Sequence, residues 1–294
     1  MDIIQVQDLT KTYGDLVAVD HISFQVEKGT MLGFLGVNGA GKSTAINMLS
    51  TLLRPDAGTA RICGSELGKE DHQIRSQIGI VYQQNVLDDL LSVKENLLCR
   101  GILHGATKAG AQARLVRLSQ ILKLEDLLKK RYKLLSGGQK RRCEIAAALM
   151  HTPKVLFLDE PTTGLDPATR KDVWSIIDGL RQEEDMTVFL TTHYMEEAAQ
   201  ADKIIILDKG KIITSGTPFD LKERYAKDKL RLYCDAPLDL PGTPTPYGME
   251  LSLDGTMEAL EILETVKHRI SGFEVIQGSM DDVFLNAVGK ALED

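Results

Sequence analysis

A glycine-rich loop between a buried strand and a helix constrains the fold of this chain more than any other feature. Residues 36–43 read GVNGAGKS, which matches the pattern GxxxxGK[ST]. The loop follows an apolar run that starts at Met31 and precedes the helical pattern TAINMLSTLL. Glycines let successive backbone N–H groups point at phosphate oxygens, and the helix N-terminus adds partial positive charge. The pattern therefore predicts a phosphate-binding loop at the opening of an α/β core.

Two side chains of this loop carry the expected phosphate chemistry. Lys42 is expected to offset the charge of the β- and γ-phosphates, and the Ser43 hydroxyl is expected to ligate Mg²⁺. The other loop residues predicted to bind the nucleotide are Gly36, Asn38, Gly39, Ala40, Gly41 and Thr44. The alternative is a purely structural glycine turn, which the strand–loop–helix context disfavours.

An acidic motif, VLFLDE, ends in the adjacent carboxylates of Asp159 and Glu160. Four apolar residues precede them, so the pattern predicts a buried strand whose tip carries both acids. Because side chains alternate along a strand, the two acids are expected to do different work. Asp159 suits the Mg²⁺ shell, and Glu160 can orient an attacking water. The alternative is a pair of acids at a solvated strand end.

The motif LSGGQ, residues 135–139, precedes a helical pattern and predicts a second anion-binding helix N-terminus. Ser136 is expected to cap that helix, Gly137 and Gly138 expose backbone N–H groups, and Gln139 completes the motif. One chain with two such sites suggests that two chains face each other and share nucleotides across their interface. Capped helices after glycine are common, so this motif alone is weak evidence.

Strand and helix patterns alternate along most of the chain. The opening segment alternates apolar and polar residues around Gly14 and Gly29, which predicts antiparallel strands. Residues 88–150 read mostly as helices. Three later segments read as apolar strands separated by helical patterns, namely residues 154–160, 186–193 and 203–213. These patterns predict an α/β fold, a mostly parallel sheet with an N-terminal antiparallel β subdomain and an inserted helical subdomain.

The composition changes after about residue 225, where the stretch PLDLPGTPTPYG holds four prolines and two glycines. We expect a first domain over residues 1–225 and an accessory domain over residues 226–294. The strand patterns KLRLYC, MELSLDG and GFEVIQG, with an amphipathic helix between the second and the third, predict a small C-terminal α+β module. An apolar cluster at residues 283–285 is expected to pack against the first domain or a second copy.

Charge, cysteines and hydropathy exclude several classes of protein. The net charge of −7 argues against a protein that coats nucleic acid, so no nucleic-acid partner is expected. The basic run at residues 129–142 is expected to be a solvated face or a phosphate-steering field. The cysteines form no CxxC pair, which argues against zinc. No apolar run approaches the ~18 residues of a membrane span, and the first residues are acidic, so we expect a cytoplasmic chain.

Five motifs in this order resemble those of the ATP-binding subunits of ABC transporters: GVNGAGKS, LSGGQ, VLFLDE, TGLD and TTH. The resemblance covers residues 1 to about 225 and implies that the chain binds ATP with Mg²⁺ and hydrolyses it. It implies that Tyr13 stacks on adenine and that His193 contacts the γ-phosphate. It also implies that Asp166 belongs to the shared nucleotide site, at the junction of two subunits.

The same resemblance implies a third polar side chain beside Glu160 and His193 in the catalytic group. Gln83, in the segment IGIVYQ, is expected to sense Mg²⁺ and the attacking water, although the neighbouring Gln84 is an alternative. The chain departs from the family pattern at Val37, where proline is common. That position offers its backbone rather than its side chain to the nucleotide, so little change is expected.

A narrower resemblance links four segments to ATPase subunits of the daunorubicin-resistance and sodium or antibiotic efflux group: PTTGLDPATR, TTHYMEEAAQAD, GTPFDLK and SMDDVFLNAVGK. It implies a homodimer that powers a separately encoded integral membrane permease and exports a drug, lipid or other small molecule. The chain would then lie on the inner face of the cell membrane, attached through the permease.

Residues 88–105 follow the Gln83 loop, where such subunits receive a short cytoplasmic helix of the permease. The apolar side chains predicted to dock that helix are Leu90, Leu91, Val93, Leu97 and Leu98. Simple core packing of these residues is the alternative.

Two functions of other classes are disfavoured. An ABC ATPase that acts on ribosomes or DNA commonly has two cassettes in tandem, whereas this chain has one, no long heptad pattern and a negative charge. A regulatory module that binds nucleotide without turnover often lacks the second acid of the VLFLDE motif, whereas Glu160 is present here.

Overall fold

The computed structural model describes residues 1–236 and 238–290. Its internal contacts divide the chain into two compact units, residues 1–212 and residues 213–294. Each unit has a hydrophobic cluster of its own. Within the described residues, no helix combines the length and the apolar character that crossing a bilayer requires.

Strands and helices alternate along the first unit. The strands that begin in it are β1 (Asp2–Tyr13), β2 (Leu16–Glu27), β3 (Met31–Leu35), β4 (Ala57–Ile62), β5 (Ser65–Glu66), β6 (Ile78–Val81), β7 (Val155–Asp159), β8 (Thr187–Thr192), β9 (Lys203–Asp208) and β10 (Lys211–Gly216). The α-helices are α1 (Lys42–Leu49), α2 (Asp71–Gln77), α3 (Val93–Leu103), α4 (Lys108–Ile121), α5 (Gly137–Leu149), α6 (Pro167–Glu184) and α7 (Met195–Ala198). Two 3₁₀ turns, Glu125–Leu127 and Tyr132–Leu134, lie between α4 and α5.

These strands form two sheets. The first is antiparallel and has the strand order β2-β1-β4-β5. The second has the order β10-β9-β3-β8-β7-β6, and its strands from β9 to β6 pair in parallel. The predicted N-terminal antiparallel subdomain and mostly parallel sheet are therefore confirmed.

The central strands β3, β7 and β8 are buried along their whole length. They are continuous apolar runs because a parallel sheet is covered on both faces. The ring of Phe189 packs between those of Phe34 and Phe157, with centroid distances of 5.2 and 5.3 Å. The register pairs Leu35 with Thr192 and Asp159 with Thr191, so the carboxyl ends of all three strands reach the same edge.

Helices α3, α4 and α5 lie within the segment predicted to be helical. Arg114 of α4 joins this region to α6 through two hydrogen bonds of 2.6 and 2.8 Å to the Glu184 carboxylate. Its Nε donates to the carbonyl of Leu149 in α5, at 3.0 Å. Both charged side chains are largely buried, at 11% and 7% exposed. Arg114 therefore connects α4 to α5 through the Leu149 carbonyl and to α6 through the Glu184 carboxylate.

The predicted docking leucines divide into buried and exposed positions. Val93 and Leu97 are completely buried in the core, so their assignment to a docking surface was wrong. They lie on the inward face of α3, because residues four apart share one side of a helix. Leu91 and Leu98 are half-buried, and Leu90 is 68% exposed.

The second unit combines helices with a small sheet. Its further elements are α8 (Pro218–Tyr225), β11 (Asp228–Tyr233), β12 (Thr243–Thr245), β13 (Gly248–Leu253), α9 (Glu258–Val266), β14 (Gly272–Ile276) and α10 (Met280–Lys290). The strand order is β12-β13-β11-β14, and the pairs are antiparallel. Leu230 and Leu251 cluster with Ala259 and Val266 of α9. The predicted α+β module is confirmed, with the short β12 added to the three expected strands.

The second unit begins earlier than the predicted boundary near residue 225. Helix α8 packs against α10, and the side-chain amide of Asn286 donates to the carbonyl of Tyr225 at 2.7 Å. In the predicted terminal cluster, Val283 and Phe284 are buried, whereas Leu285 is 68% exposed. Two residues of the expected apolar cluster are therefore covered, and the third is not.

Arg114→Met should lower the free energy of unfolding of the first unit by about 3 kcal/mol, because it leaves the buried Glu184 carboxylate without its bidentate partner. Trp174, the single tryptophan, is buried on α6 and reports this transition by fluorescence in a urea titration. The matched control is Arg117→Met, since Arg117 is 52% exposed and contacts Glu184 at 3.4 Å. A loss below 1 kcal/mol for Arg114→Met would contradict this account.

Candidate functional site

A cavity of about 660 Å³ lies at the edge of the sheet where β3, β7 and β8 end. This is a typical volume for a small-molecule site. The cavity is lined by Tyr13, Leu16, Val17, Ala18, Asn38, Gly39, Gly41, Lys42, Ser43, Thr44, Gln83, Glu160, Thr163, His193 and Lys209. The structure thus gathers side chains from five distant segments that the sequence motifs had singled out.

The loop at residues 36–43 packs closely against its neighbours. Gly41 has φ +104°, and a Cβ at this position would lie 2.3 Å from the carbonyl oxygen of Ala18. A Cβ on Gly36 would lie 2.6 Å from the carbonyl oxygen of Leu207. Gly36 and Ala40 lie in the loop without lining the cavity. Two of the three motif glycines are therefore required by the close approach of the backbone to β2 and β9.

Lys42 lies beneath the cavity and is only 5% exposed. Its ammonium group donates to the carbonyls of Gly36 and Val37, at 2.6 and 3.1 Å. Burial lowers the pKa of Lys42, and the charges of Glu160 and Asp159 act in the opposite direction. The loop thus holds one buried cation that faces two carboxylates.

Asp159 lies at the end of β7 and is buried. Its Oδ1 accepts a hydrogen bond of 2.6 Å from the Thr191 hydroxyl and one of 3.4 Å from the Ser43 hydroxyl. Carboxylate and hydroxyl oxygens are the ligands that Mg²⁺ prefers. Asp159 and Ser43 therefore have the chemistry of a magnesium site.

Glu160 follows directly and adopts φ +46°, an uncommon conformation for a residue with a side chain. Its Oε2 accepts hydrogen bonds from Gln83 Nε2 and Thr163 Oγ1, both at 3.1 Å. Its Oε1 lies 3.2 Å from His193 Nδ1, a close contact without hydrogen-bond geometry. The backbone N–H donates to the carbonyl of Thr191 at 3.0 Å. Three neighbours therefore fix the carboxylate at the cavity, and Thr191 holds its backbone.

The remaining predictions for the cavity concern an amide and an aromatic ring. Gln83 lines the cavity and contacts Glu160, whereas Gln84 does not line it. Tyr13 also lines the cavity and is 50% exposed, so its ring offers a free face. An exposed aromatic face at the rim of a cavity suits stacking on a planar base.

Besides Gly36, Ala40 and Asp159, five further residues predicted for the nucleotide site do not line this cavity. Residues 136–139 start α5, where Ser136 Oγ accepts from the N–H of Gln139 and the Gln139 side chain accepts from the N–H of Ser136. Asp166 caps α6 by accepting from the Thr169 N–H and hydroxyl, at 3.0 and 2.5 Å, which holds the pKa of Asp166 below its usual range. The fold of one chain does not bring these residues to the cavity lining.

Comparison with known proteins assigns the family. The family described as "ABC transporter" matches residues 19–163. The chain is 37% identical to the daunorubicin/doxorubicin resistance ATP-binding protein DrrA of Streptomyces peucetius, over 99% of this chain and 94% of that protein. The chain belongs to the ATP-binding subunits of ABC transporters. It is accordingly an ABC ATPase, and the resemblance of its five motifs is confirmed.

Other relatives and solved structures agree with this assignment. The ABC ATPase is 35% identical to the linearmycin resistance ATP-binding protein LnrL of Bacillus subtilis, over 99% of this chain and all of that protein. Its fold matches cbiO1 of Clostridium perfringens with a TM-score of 0.69, 29% identity and coverage of 75% of this chain and 90% of that one. It also matches the ATP-binding cassette MJ0796, solved as a dimer with ADP and Pi, with a TM-score of 0.67, 28% identity and coverage of 73% and 98%.

Arg141 supports the site of this ABC ATPase, although sequence reasoning missed it. It belongs to the basic run at residues 129–142, which was expected to be a solvated face or a phosphate-steering field, yet Arg141 is only 5% exposed. Its guanidinium donates to the carbonyls of Pro161, Tyr82 and Asp159. Burial lowers the pKa of Arg141 to about 10, so it remains charged at neutral pH. It therefore ties the segments after β6 and β7 together, and its basic neighbours concealed this inward role.

Other missed residues enter the cavity from elements without a motif. Leu16, Val17 and Ala18 belong to β2, and Lys209 belongs to the turn between β9 and β10. The N–H of Gly210 in that turn donates to the carbonyl of Ala40 at 3.0 Å. The spacing of residues in the sequence does not predict these positions, because only tertiary packing brings this turn to the phosphate loop.

Gly41→Ala should weaken ATP binding at least about tenfold, an affinity loss of ~1.4 kcal/mol, because the new Cβ forces the loop away from Ala18. Titration with a fluorescent ATP analogue measures this affinity. The control is Gly64→Ala, which carries a similar positive φ of +86° but meets no atom within 4 Å. Parental affinity in a folded Gly41→Ala protein would show that the close approach is not needed.

Proposed function

We propose that this ABC ATPase hydrolyses Mg²⁺-ATP in the cavity described above and couples hydrolysis to export through a membrane permease. The observation that carries the proposal is the convergence of Lys42, Ser43, Gln83, Glu160 and His193 on one cavity. These side chains come from three different strand ends and the helix that follows the phosphate loop. A buried cation, paired carboxylates and an amide are what phosphoryl transfer to water requires.

Within this proposal the loop binds the triphosphate and Tyr13 stacks on the base. Lys42 neutralises charge on the β- and γ-phosphates, and the backbone N–H groups of residues 39–44 point at phosphate oxygens. Ser43 and Asp159, with Gln83 nearby, hold Mg²⁺, since they offer oxygen ligands. When bound, Mg²⁺ offsets phosphate charge.

Glu160 is the group that orients the attacking water and accepts its proton. Its carboxylate is held by Gln83, Thr163 and the contact with His193, so its position is set before the nucleotide binds. His193 lines the same cavity, where it contacts the γ-phosphate. Positioning and charge stabilisation, rather than covalent chemistry, carry this reaction.

We further infer that two copies share each nucleotide. Ser136 and Gly137 are exposed at the N-terminus of α5 and do not line the cavity of their own chain. A helix N-terminus with free N–H groups binds phosphate, so these groups can meet a γ-phosphate held by a second chain. Asp166, at the start of α6, lies at the same junction in this arrangement. The dimeric form of the related cassette MJ0796 supports the inference.

The drug-resistance relatives support the transport role, because we take this chain to act as they do. The exported compound is a drug, lipid or other small molecule.

We propose that a cytoplasmic helix of the permease docks on the groove of about 180 Å³ between α3 and β6, which places this chain on the inner face of the cell membrane. Tyr82 lines that groove and directly precedes Gln83. A displacement of Tyr82 by the docked helix would therefore move Gln83 as well.

Glu160→Gln should lower kcat for ATP hydrolysis by ~10²- to 10⁴-fold, because the amide cannot accept the proton of the attacking water. Affinity for ATP should be nearly unchanged, since Glu160 contacts the water rather than the phosphates. Phosphate release and nucleotide titration measure the two quantities.

Lys42→Ala is the control for contaminating ATPases in that experiment, because it should lose both binding and turnover. Hydrolysis at the parental rate by a Glu160→Gln preparation that passes this control would rule out the assigned role of Glu160.

Gly137→Asp should prevent ATP-dependent dimerisation, because a carboxylate at this exposed helix start repels the γ-phosphate of the opposing chain. The site is suitable because a Cβ on Gly137 meets only Leu165, at 3.9 Å, whereas one on Gly138 would clash with Thr169 at 2.4 Å. Light scattering of the Glu160→Gln protein with Mg²⁺-ATP measures the dimer.

The charge-matched control in the same background is Gly179→Asp, at an exposed position of α6 where a Cβ meets nothing within 4 Å. We expect dimers for Gly179→Asp and monomers for Gly137→Asp. Dimers of parental stability for both variants would remove the LSGGQ motif from the shared site.

A further inference from the structure

Glu197 is a buried carboxylate on the short helix α7, only 2% exposed. It does not line the nucleotide cavity, and the sequence analysis assigned it no role, although it lies in the segment TTHYMEEAAQAD. Burying a charge is costly unless hydrogen bonds and opposite charge compensate it. The partners of Glu197 therefore indicate what the carboxylate does.

Each carboxylate oxygen of Glu197 accepts a hydrogen bond from a different strand-end loop. Oε1 accepts from the hydroxyl of Thr162, which lies two residues after Glu160. Oε2 accepts from the hydroxyl of Thr192 at 2.7 Å, and Thr192 directly precedes His193. Both threonines are completely buried. One side chain thus links the loop that carries Glu160 to the loop that carries His193.

Arg170 places a positive charge near the Glu197 carboxylate. Arg170 Nε lies 3.8 Å from Glu197 Oε1, and the Arg170 guanidinium lies over the ring of Tyr194, 4.2 Å from its centroid. The Tyr194 ring in turn contacts the imidazole of His193, with centroids 4.1 Å apart. Glu197 is therefore connected to His193 by two routes. One runs through Thr192, which precedes His193 in the chain, and the other runs through Arg170 and the ring of Tyr194.

We propose that Glu197 is a positioning residue for ATP hydrolysis, which holds the Glu160 and His193 loops at the separation that the reaction requires. The two catalytic side chains approach each other to 3.2 Å, and a displacement of about 1 Å can reduce turnover ~10²-fold. The inference rests on the proposed roles of Glu160 and His193. It adds that their geometry is maintained by a residue that does not line the nucleotide cavity.

Substitutions of Glu197 separate shape from hydrogen bonding. Glutamine has the same length, its oxygen can accept from one threonine, and its amide can donate to the other after that hydroxyl rotates. Alanine removes both links and leaves Arg170 without its buried counter-charge. We therefore expect Glu197→Ala to lower kcat ~10²-fold with an ATP KM within about threefold of the parent. Glu197→Gln should stay within about fivefold of the parental kcat.

The experiment measures kcat and KM for these variants and for Glu196→Ala, an exposed neighbour on the same helix that serves as the matched control. Glu197→Ala is also introduced into a His193→Ala background. If Glu197 acts by positioning His193, its kcat loss should shrink at least about fivefold there, because residues that act as a unit are not additive. An equal loss in both backgrounds, or a loss that falls on KM, would overturn the proposal.

A second pair of variants keeps the test valid if Glu197→Ala does not fold. Thr162→Val removes one of the two donors without changing the size of the side chain, whereas Thr162→Ser retains the hydroxyl. We expect kcat to fall for valine and to be retained for serine, and equal kcat values would overturn the proposal. Parental turnover in Glu160→Gln would refute the proposed function instead, so the two failures are distinguishable.

Discussion

The parallel pairing of β3, β8 and β7 is the interaction on which the site depends. It pairs Leu35 with Thr192 and Asp159 with Thr191, so the phosphate loop, the acidic pair and His193 emerge side by side. The three strands are buried along their whole length, and the packed rings of Phe34, Phe157 and Phe189 hold them in register. Because Glu160 and His193 directly follow strand ends and the phosphate loop follows β3, a change of register would disperse the site.

Buried charges behind the cavity hold the loops that the sheet brings together. Arg141 donates to carbonyls after β6 and β7, and Glu197 accepts from Thr162 after β7 and from Thr192 at the end of β8. Loops that must place reacting groups cannot rely on apolar packing alone, since their backbones carry polar atoms that need partners. The cation and the carboxylate supply directional contacts and leave the cavity side of each loop free for ATP.

Sequence patterns predicted most of the cavity but misjudged which side chains turn inward. The phosphate loop and the acidic strand end predicted that Lys42 and Glu160 meet at the nucleotide, and the resemblance to ABC transporter subunits added Gln83. The docking-surface interpretation of Val93 and Leu97, for which core packing was the alternative, was wrong because both are core residues. The basic run that contains Arg141 was expected to be a solvated face or a phosphate-steering field, yet Arg141 is buried. Apolar spacing and charge composition identify an element, but they do not identify its buried face when both faces carry similar residues.

Local sequence encodes the phosphate loop, the acidic strand end, the helix start at Ser136 and the order of strands and helices, because each depends on neighbours within a few residues. Three features exist only in the folded chain: Ala18 and Leu207 lie against the loop glycines, Lys209 reaches the cavity, and Glu197 links two loops. These contacts join segments that are far apart in the chain. Their geometry follows from sheet register and core packing, which are properties of the folded chain as a whole and have no local sequence signal.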